Sequence, residues 1–434
     1  MGKNKVIKTF LESRNYFPSL SESYKGEQTL FLDNSAGAQV SNFVLDRVND
    51  FYINRNAQKG TIFNRTEQMQ NTIIEGRQLA AELIGANDHT EVAFGLNATS
   101  FFQLFAHHIS RDLHSGDHII ITETDHRANV DPWIELSERG IHVHLWQVDE
   151  NGDLDYEQYK ELLSLSPKIV AAGWISNATG TINDMKKITK MAHEVGALVV
   201  ADGVQQASHM PVDVKEAGVD FAAFSTYKIF GPHMGFCYIN RDRLERLNGY
   251  KIKELIKDDL FFFEVGTQNH EGIEAFIGSM EYLSQISMDA TKNHLQLNDV
   301  PFPSKCSKKR KELFSAMYWA KEYEKELSTY FLEKLNLING IELYGKNLDQ
   351  IEERVPVFSF NIKGFITEEL GRELNRFGIE ARTGNYYAIN LMNKLAHRFN
   401  GSALRISLVH YNTFEDIDYF FESLNKVCKR QNKS

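Results

Sequence analysis

The stretch FSTYKIFGPHMG (224–235) sets a lysine, Lys228, among small and aromatic residues, just after the apolar run VDFAAF and just before a Gly-Pro turn. A surface lysine ordinarily belongs in a polar stretch, so two readings stand side by side. Lys228 snorkels out of a turn with its stem on apolar neighbours. Or it is a desolvated amine, whose lowered pKa equips it to attack a carbonyl. The rest of the chain decides between them.

Around this stretch, HIIIT (118–122), IHVHLWQV (141–148), KIVAAGWIS (168–176), ALVVAD (197–202) and DFAAFS (220–225) have the composition of strands. They alternate with helical patterns such as DMKKITKMAHEVG (184–196), apolar at helical spacing and stopped at Gly196. Alternation of this kind predicts a mostly parallel sheet covered by helices on both faces. Ligands of such sheets bind beyond the carboxyl ends of the strands. Reactive residue types collect there: Asp202 ends ALVVAD with Gln205 one turn later, Asn177 ends GWISN, His126 follows HIIITETD, and Lys228 follows DFAAFSTY. Singly, each suits a turn, a cap or a loop. Together they match the needs of pyridoxal phosphate, an aldehyde held by a lysine as a Schiff base with its ring nitrogen paired to a carboxylate. His126 supplies a flat ring to stack on it. FGLNATSFFQLFAHH (94–108) supplies a strand end and then a helix N-terminus at Asn97-Ala98-Thr99-Ser100, suited to a phosphate. Lys228 is therefore read as catalytic.

At 434 residues the chain exceeds one ordinary core. Composition shifts after about residue 290: KCSKKRKEL (305–313) leads into a long amphipathic helix, followed by shorter strand candidates VPVFSFNI (355–362) and ALRISLV (403–409). This predicts a large domain over 31–295, a smaller α+β domain over 296–434, and an N-terminal segment, 1–30, packing on the small domain. The basic run 305–311 is expected as a solvated helix start, and KRQNKS at the C-terminus as a frayed tail. A formal charge of −10, from 48 basic and 58 acidic residues, argues against nucleic acid or an anionic membrane as partner. No run is long enough to span a membrane, and no apolar stretch marks a signal peptide. Three scattered cysteines, Cys237, Cys306 and Cys428, exclude a disulfide framework and a zinc site and fit a reducing cytoplasm. Cys237 is placed in a buried strand, Cys306 in a basic linker favouring a thiolate, and Cys428 in the tail.

Over nearly its whole length the chain resembles class V aminotransferase-like enzymes of pyridoxal phosphate fold type I, particularly the cysteine desulfurase-like branch. The resemblance is carried by FLDNSAGAQ (31–39), LNATS (96–100), TDHRANVDPW (124–133), SNATGT (176–181), ADGVQQASH (201–209), STYK (225–228), FEVGTQNHEG (263–272), ARTGNYYA (381–388) and LRISLVHYN (404–412). It implies a mostly parallel seven-stranded sheet sandwiched by helices, with a smaller C-terminal α+β domain. It also implies roles. Lys228 carries the cofactor aldehyde, Asp202 holds the pyridinium nitrogen, Gln205 and Asn177 lie by the phenolic oxygen, and His126 stacks on the ring. Ala98, Thr99, Ser225 and Tyr227 hold the phosphate, and Thr267 reaches the phosphate of a partner subunit, which makes the enzyme a homodimer. Arg405 forks the substrate carboxylate, with Arg382, Asn34, Ala36, Tyr386 and Tyr387 around the substrate.

Two departures stand out. The family's Ser-x-His-Lys is Ser225-Thr226-Tyr227-Lys228 here, where a tyrosine hydroxyl still donates to phosphate. The family's Arg-Thr-Gly-His-His-Cys loop, which carries the nucleophilic cysteine of desulfurases, is Arg382-Thr383-Gly384-Asn385-Tyr386-Tyr387. A tyrosine cannot take a persulfide sulfur, because that step needs a thiolate. The sequence thus favours a carbon–sulfur lyase or a related elimination or substitution on an α-amino acid. A transaminase or an epimerase uses the same lysine and stays open at this level, as does a non-catalytic protein of the same fold.

Overall fold

Seven short apolar segments, each bounded by turn residues, pair into one sheet: β1 (Val92–Gly95), β2 (His118–Thr122), β3 (His142–Trp146), β4 (Ile169–Gly173), β5 (Leu198–Asp202), β6 (Phe221–Ser225) and β7 (Gly235–Ile239). The computed structural model that shows this describes residues 2–21, 29–247 and 259–431. The spatial order is β1-β7-β6-β5-β4-β2-β3. The ladders from β3 to β6 are parallel, while β7 runs antiparallel to both β6 and β1. β4, β6 and β7 are buried at every position. Parallel strands covered on both faces lose any polar alternation, which is why these segments read as continuous apolar runs. Chain order reverses at β2, which has β3 on one side and β4 on the other. A crevice opens at the carboxyl ends of strands where their order reverses.

Helices cover both faces. Among them are α1 (Gly2–Ser13), α2 (Asn64–Ile84), α3 (Ala98–Ile109), α4 (Met185–Glu194), α5 (His270–Lys292), α6 (Lys308–Leu335) and α7 (Phe414–Gln431). α4 starts on Asp184, whose side chain accepts the Lys187 N–H, and buries Met185, Ile188 and Ala192 at helical spacing. α1 lies against α6: Phe10 stacks on Tyr323 with ring centroids 5.2 Å apart. A second, antiparallel sheet has the order β10-β11-β9-β8, with β8 (Ile341–Tyr344), β9 (Val357–Ile362), β10 (Arg382–Gly384) and β11 (Ala403–Ser407). Two residues near the N-terminus, Leu30–Phe31, add a parallel ladder to Ile379–Glu380. Among the described residues no helix is long and apolar enough to cross a membrane.

The structure corrects the sequence reading at three places. Arg310, within the basic run expected to be solvated, is buried. Its guanidinium donates to the carbonyls of Glu82 (2.7 Å), Leu83 (2.5 Å) and Val212 (2.5 Å), and thereby caps the C-terminal end of α2. Lys429, Arg430 and Gln431 belong to α7 rather than to a frayed tail; residues 432–434 lie outside the described residues. Cys428 is accordingly a helix residue, partly buried against the core.

Because Arg310 serves three carbonyls, two of them buried, truncating it takes this donor from all three. Arg310→Ala should lower unfolding free energy by about 2–4 kcal/mol, read from urea midpoints at unchanged slope. A loss below about 0.5 kcal/mol, the usual range for surface substitutions, would contradict this account of the contact.

Candidate active site

Beyond the carboxyl ends of β2, β4, β5 and β6 lies a cavity whose lining includes Ala98, Thr99, His126, Asn177, Asp202, Gln205, Ser225, Tyr227 and Lys228. Lys228 ends a tight turn after β6, fixed by the Thr226 hydroxyl near the Pro232 (2.6 Å) and Met234 (2.9 Å) carbonyls. Burial, reinforced by the Arg405 charge, lowers its pKa to about 8, against the pull of Asp202 and Asp33. Asp202 is the last residue of β5; its Oδ1 accepts the Val204 N–H (2.9 Å), and burial pushes its pKa up. His126 accepts the Ala128 N–H at Nδ1 (3.0 Å). Burial first, then the charges of Lys228 and Arg405, hold it down to about 4. At neutral pH it is therefore an uncharged flat ring with its proton on Nε2.

The amides around the cavity are partly spent. Gln205 donates to the Ser35 carbonyl (3.0 Å), while its buried Oε1 has no partner. Asn177 donates to the Tyr386 carbonyl (2.8 Å). Ala98 and Thr99 open α3 behind Asn97, which takes the Ser100 N–H (2.9 Å) and leaves the Ala98 and Thr99 N–H groups without a partner inside the helix. That turn sits against β7 only because residue 235 is glycine: a Cβ there would lie 2.6 Å from the Asn97 carbonyl carbon.

The second sheet supplies the cations. Arg382 on β10 and Arg405 on β11 are paired in register. Both hold Asp33: Arg405 Nη2 donates to its Oδ1 (3.0 Å) and Arg382 Nε to its Oδ2 (2.8 Å). Arg405 also donates to the Asn177 carbonyl (2.9 Å), lies over the Tyr386 ring at 4.5 Å, and keeps a buried Nε without a partner. The loop after β10 turns through left-handed backbone at Tyr386 (φ 55°) and Tyr387 (φ 61°). Tyr386 is buried with its hydroxyl on the Ala403 carbonyl. Tyr387 is 65% exposed and stands 5.2 Å from the His126 ring; with Thr99, His126, Ala128 and Tyr227 of the cavity lining it borders the open groove that forms the cavity mouth.

Seven of the sequence candidates lie outside this lining: Arg382, Arg405, Tyr386 and Tyr387, placed above, and Asn34, Ala36 and Thr267. Asn34 spends its amide on the Ser407 carbonyl (2.7 Å), Asn412 and the Tyr411 hydroxyl, and Ala36 closes a turn on the Asp33 carbonyl (3.0 Å). Thr267 borders a separate groove of about 780 Å³ with Phe51, Gln58, Leu96 and His107. No cysteine lines the cavity. Cys237 is buried in β7, and Cys306, expected to favour a thiolate, is instead pushed up by burial. The sequence reading passed over Asp33 and Asp125, although each lies inside a motif it singled out. Asp125 is buried, lines the cavity, and accepts the Gly173 N–H (2.6 Å) and the Asn129 amide (2.7 Å).

The residues present suit a flat anionic aldehyde: a low-pKa lysine, a buried carboxylate, a neutral imidazole and a helix N-terminus on one cavity. Residues 30–299 and 315–420 match the family model for aminotransferase class V. A cysteine desulfurase of Pectobacterium atrosepticum is 31% identical over 95% of this chain and 96% of its own length. An aminotransferase-like protein of Gibberella zeae is 29% identical over 95% of this chain and 97% of its own. A probable cysteine desulfurase of Mycolicibacterium paratuberculosis is 28% identical over 96% of this chain, which spans 58% of that longer protein. In fold, the chain superimposes on a cysteine desulfurase of Thermococcus onnurineus with a TM-score of 0.82, covering 96% of this chain and 98% of that one at 23% identity.

A lysine that loses its proton near pH 8 attacks an aldehyde only as the neutral amine. Borohydride-trapped attachment of pyridoxal phosphate to the empty protein should therefore quicken about tenfold per pH unit below 8 and level off above it. Lys228→Ala should abolish the trapped adduct, and labelling of another lysine would overturn the assignment.

Proposed function

The chain belongs to the class V aminotransferase family, whose members use pyridoxal 5'-phosphate, and on that premise we propose that it is a carbon–sulfur lyase acting on a sulfur-bearing α-amino acid by elimination. The observation that carries the choice of reaction is the cavity mouth: Tyr387 stands there, and the three cysteines lie elsewhere. When bound, the cofactor supplies an electron sink for the negative charge that develops at the substrate Cα. Asp202 would hold the ring nitrogen, and the neutral His126 would stack on the ring face. Ala98, Thr99, Ser225 and Tyr227 would hold the phosphate, with Gln205 and Asn177 at the ring's oxygen.

Lys228 Nζ would take the Cα proton once the substrate is seated, a task suited to an amine poised near neutral pH. Arg405 would orient the substrate by its carboxylate, with Arg382 beside it. Tyr386, buried under Arg405, would support that guanidinium, and Tyr387 would border the departing sulfur. In this reading 31–295 holds the cofactor, 296–434 supplies the substrate arginines, 1–30 packs on the small domain, and the protein works in a reducing cytoplasm. Thr267 would reach the cofactor phosphate of a second copy. Exposed apolar residues near it, Leu96 at 77% and Val265 at 73%, support such an interface.

Elimination from cysteine yields sulfide, ammonia and pyruvate, whereas desulfuration through a protein thiol yields alanine and a protein-bound persulfide. Incubation with cysteine should give the first set, and replacing Cys237, Cys306 and Cys428 together by serine should leave sulfide release within about twofold of wild type. A folded, cofactor-loaded triple variant that releases no sulfide while the wild type does would show a thiol nucleophile. Sedimentation should show a dimer at assay concentrations; a fully active monomer would exclude a shared site.

A further inference from the structure

Gly173 and Asp202 are register partners on adjacent parallel strands, so their Cα–Cβ directions point to the same face. Gly173 has no side chain, and the space one would occupy is filled by Asp125: a Cβ at Gly173 would collide with Asp125 Oδ1. The Asp125 carboxylate thus stands where the in-register neighbour of Asp202 would stand. Both acids line the same cavity. Facing Asp125 are the Thr122 hydroxyl and Asn129 amide from its own segment, the Gly173 amide from β4, and Asp202 from β5 as the charged group. Lys228 and His126 line the cavity as well, and Lys228 acts on Asp202.

We propose that Asp125 is a positioning residue for Asp202: the two carboxylates share one proton while the pocket is empty, and Asp125 releases it to solvent when a protonated ring nitrogen settles on Asp202. This rests on the pyridoxal phosphate reading above. Two buried carboxylates that line one cavity repel each other, and the second resists ionising beside the first unless a cation offsets its charge. Burial and then the charge of Asp202 raise Asp125 to about 7. A cation on Asp202 cancels that repulsion, so Asp125 falls back towards the ordinary carboxylate range. Binding then expels a proton at pH values below 7, and affinity for the cofactor rises as pH climbs towards 7.

The test measures pyridoxal phosphate affinity by calorimetry at pH 6.0 and pH 7.5 for the wild type, Asp125→Asn and Asp125→Glu. Across that interval the wild type should tighten roughly tenfold more than Asp125→Asn, where nothing titrates at this position. Asp125→Glu should restore most of the difference. Lys228 contributes alike to all three, so the comparison isolates Asp125. Infrared spectra of the empty wild type, labelled with ¹³C-aspartate, should show at pH 6 an un-ionised aspartic acid that disappears when pyridoxal phosphate is added. An equal pH response in wild type and Asp125→Asn overturns the inference, and so does an empty wild type without that acid signal, even where a variant fails to fold. Failure of the wild type to bind pyridoxal phosphate overturns the proposed function instead, and the spectrum of the empty protein still decides whether the carboxylates share a proton.

Discussion

The pairing of β4, β5 and β6 is the constraint on which the site depends. Five register pairs, Ile169↔Leu198 to Gly173↔Asp202, set β5 against β4, and Asp202↔Ala223 sets β6 against β5. Successive side chains in a strand point to opposite faces, so a slip of one residue would turn Asp202 away from Lys228 and move Gly173 out from under Asp125. The apolar residues that prevent the slip, Val199, Ala201, Ala222 and Phe224, are core residues that take no part in the chemistry themselves. Hydrophobic burial on the helix-covered faces thus fixes the geometry of charged groups at the strand ends. The chain can then hold ionisable side chains in a poorly solvated cavity without rearranging them when a ligand arrives.

Much of this was legible in the sequence because parallel strands buried on both faces leave unbroken apolar runs, and those runs stop where the chemistry begins. HIIIT matches β2 residue for residue, and ALVVAD and DFAAFS exceed β5 and β6 by one residue at the start. Lys228, Asp202, His126, Asn177 and Gln205 could be gathered from the ends of such runs, and the structure brings them onto one cavity. What the sequence concealed depends on tertiary contact. Arg310 lies among basic neighbours, and only the approach of α2 to the start of α6 turns its guanidinium inward. Asp125 resembles a turn residue until β4 supplies a glycine opposite it. Cys306 loses its expected thiolate character because burial outweighs the nearby Arg310 and Lys311 charges.

The two tyrosines show how one loop separates adjacent identical residues. Left-handed backbone at both positions reverses the chain within a single step and sends one ring inward and the other outward. Non-glycine residues adopt that conformation at some cost, and neighbouring contacts must hold it. Here the Asn177 amide grips the Tyr386 carbonyl, and the Tyr387 carbonyl accepts the Arg127 N–H (2.9 Å). The second sheet and the strand ends of the first are therefore tied together at the mouth of the cavity.

Asp33, clamped between Arg382 and Arg405, has a consequence for ligand recognition. The buried guanidinium of Arg405 already has a counter-ion that belongs to the chain. If Arg405 takes the substrate carboxylate, as proposed above, that anion would not meet a bare positive charge; it would enter an exchange in which one anion replaces another. Coulombic attraction largely cancels in such an exchange, because the resident pair is lost as the new one forms. Discrimination among carboxylates then falls to shape and to the direction of the fork, including the Arg405 Nε that Asp33 leaves unused. On that reading, the pocket would admit small anions without being trapped by them, and would keep tight binding for the ligand whose geometry engages the whole guanidinium.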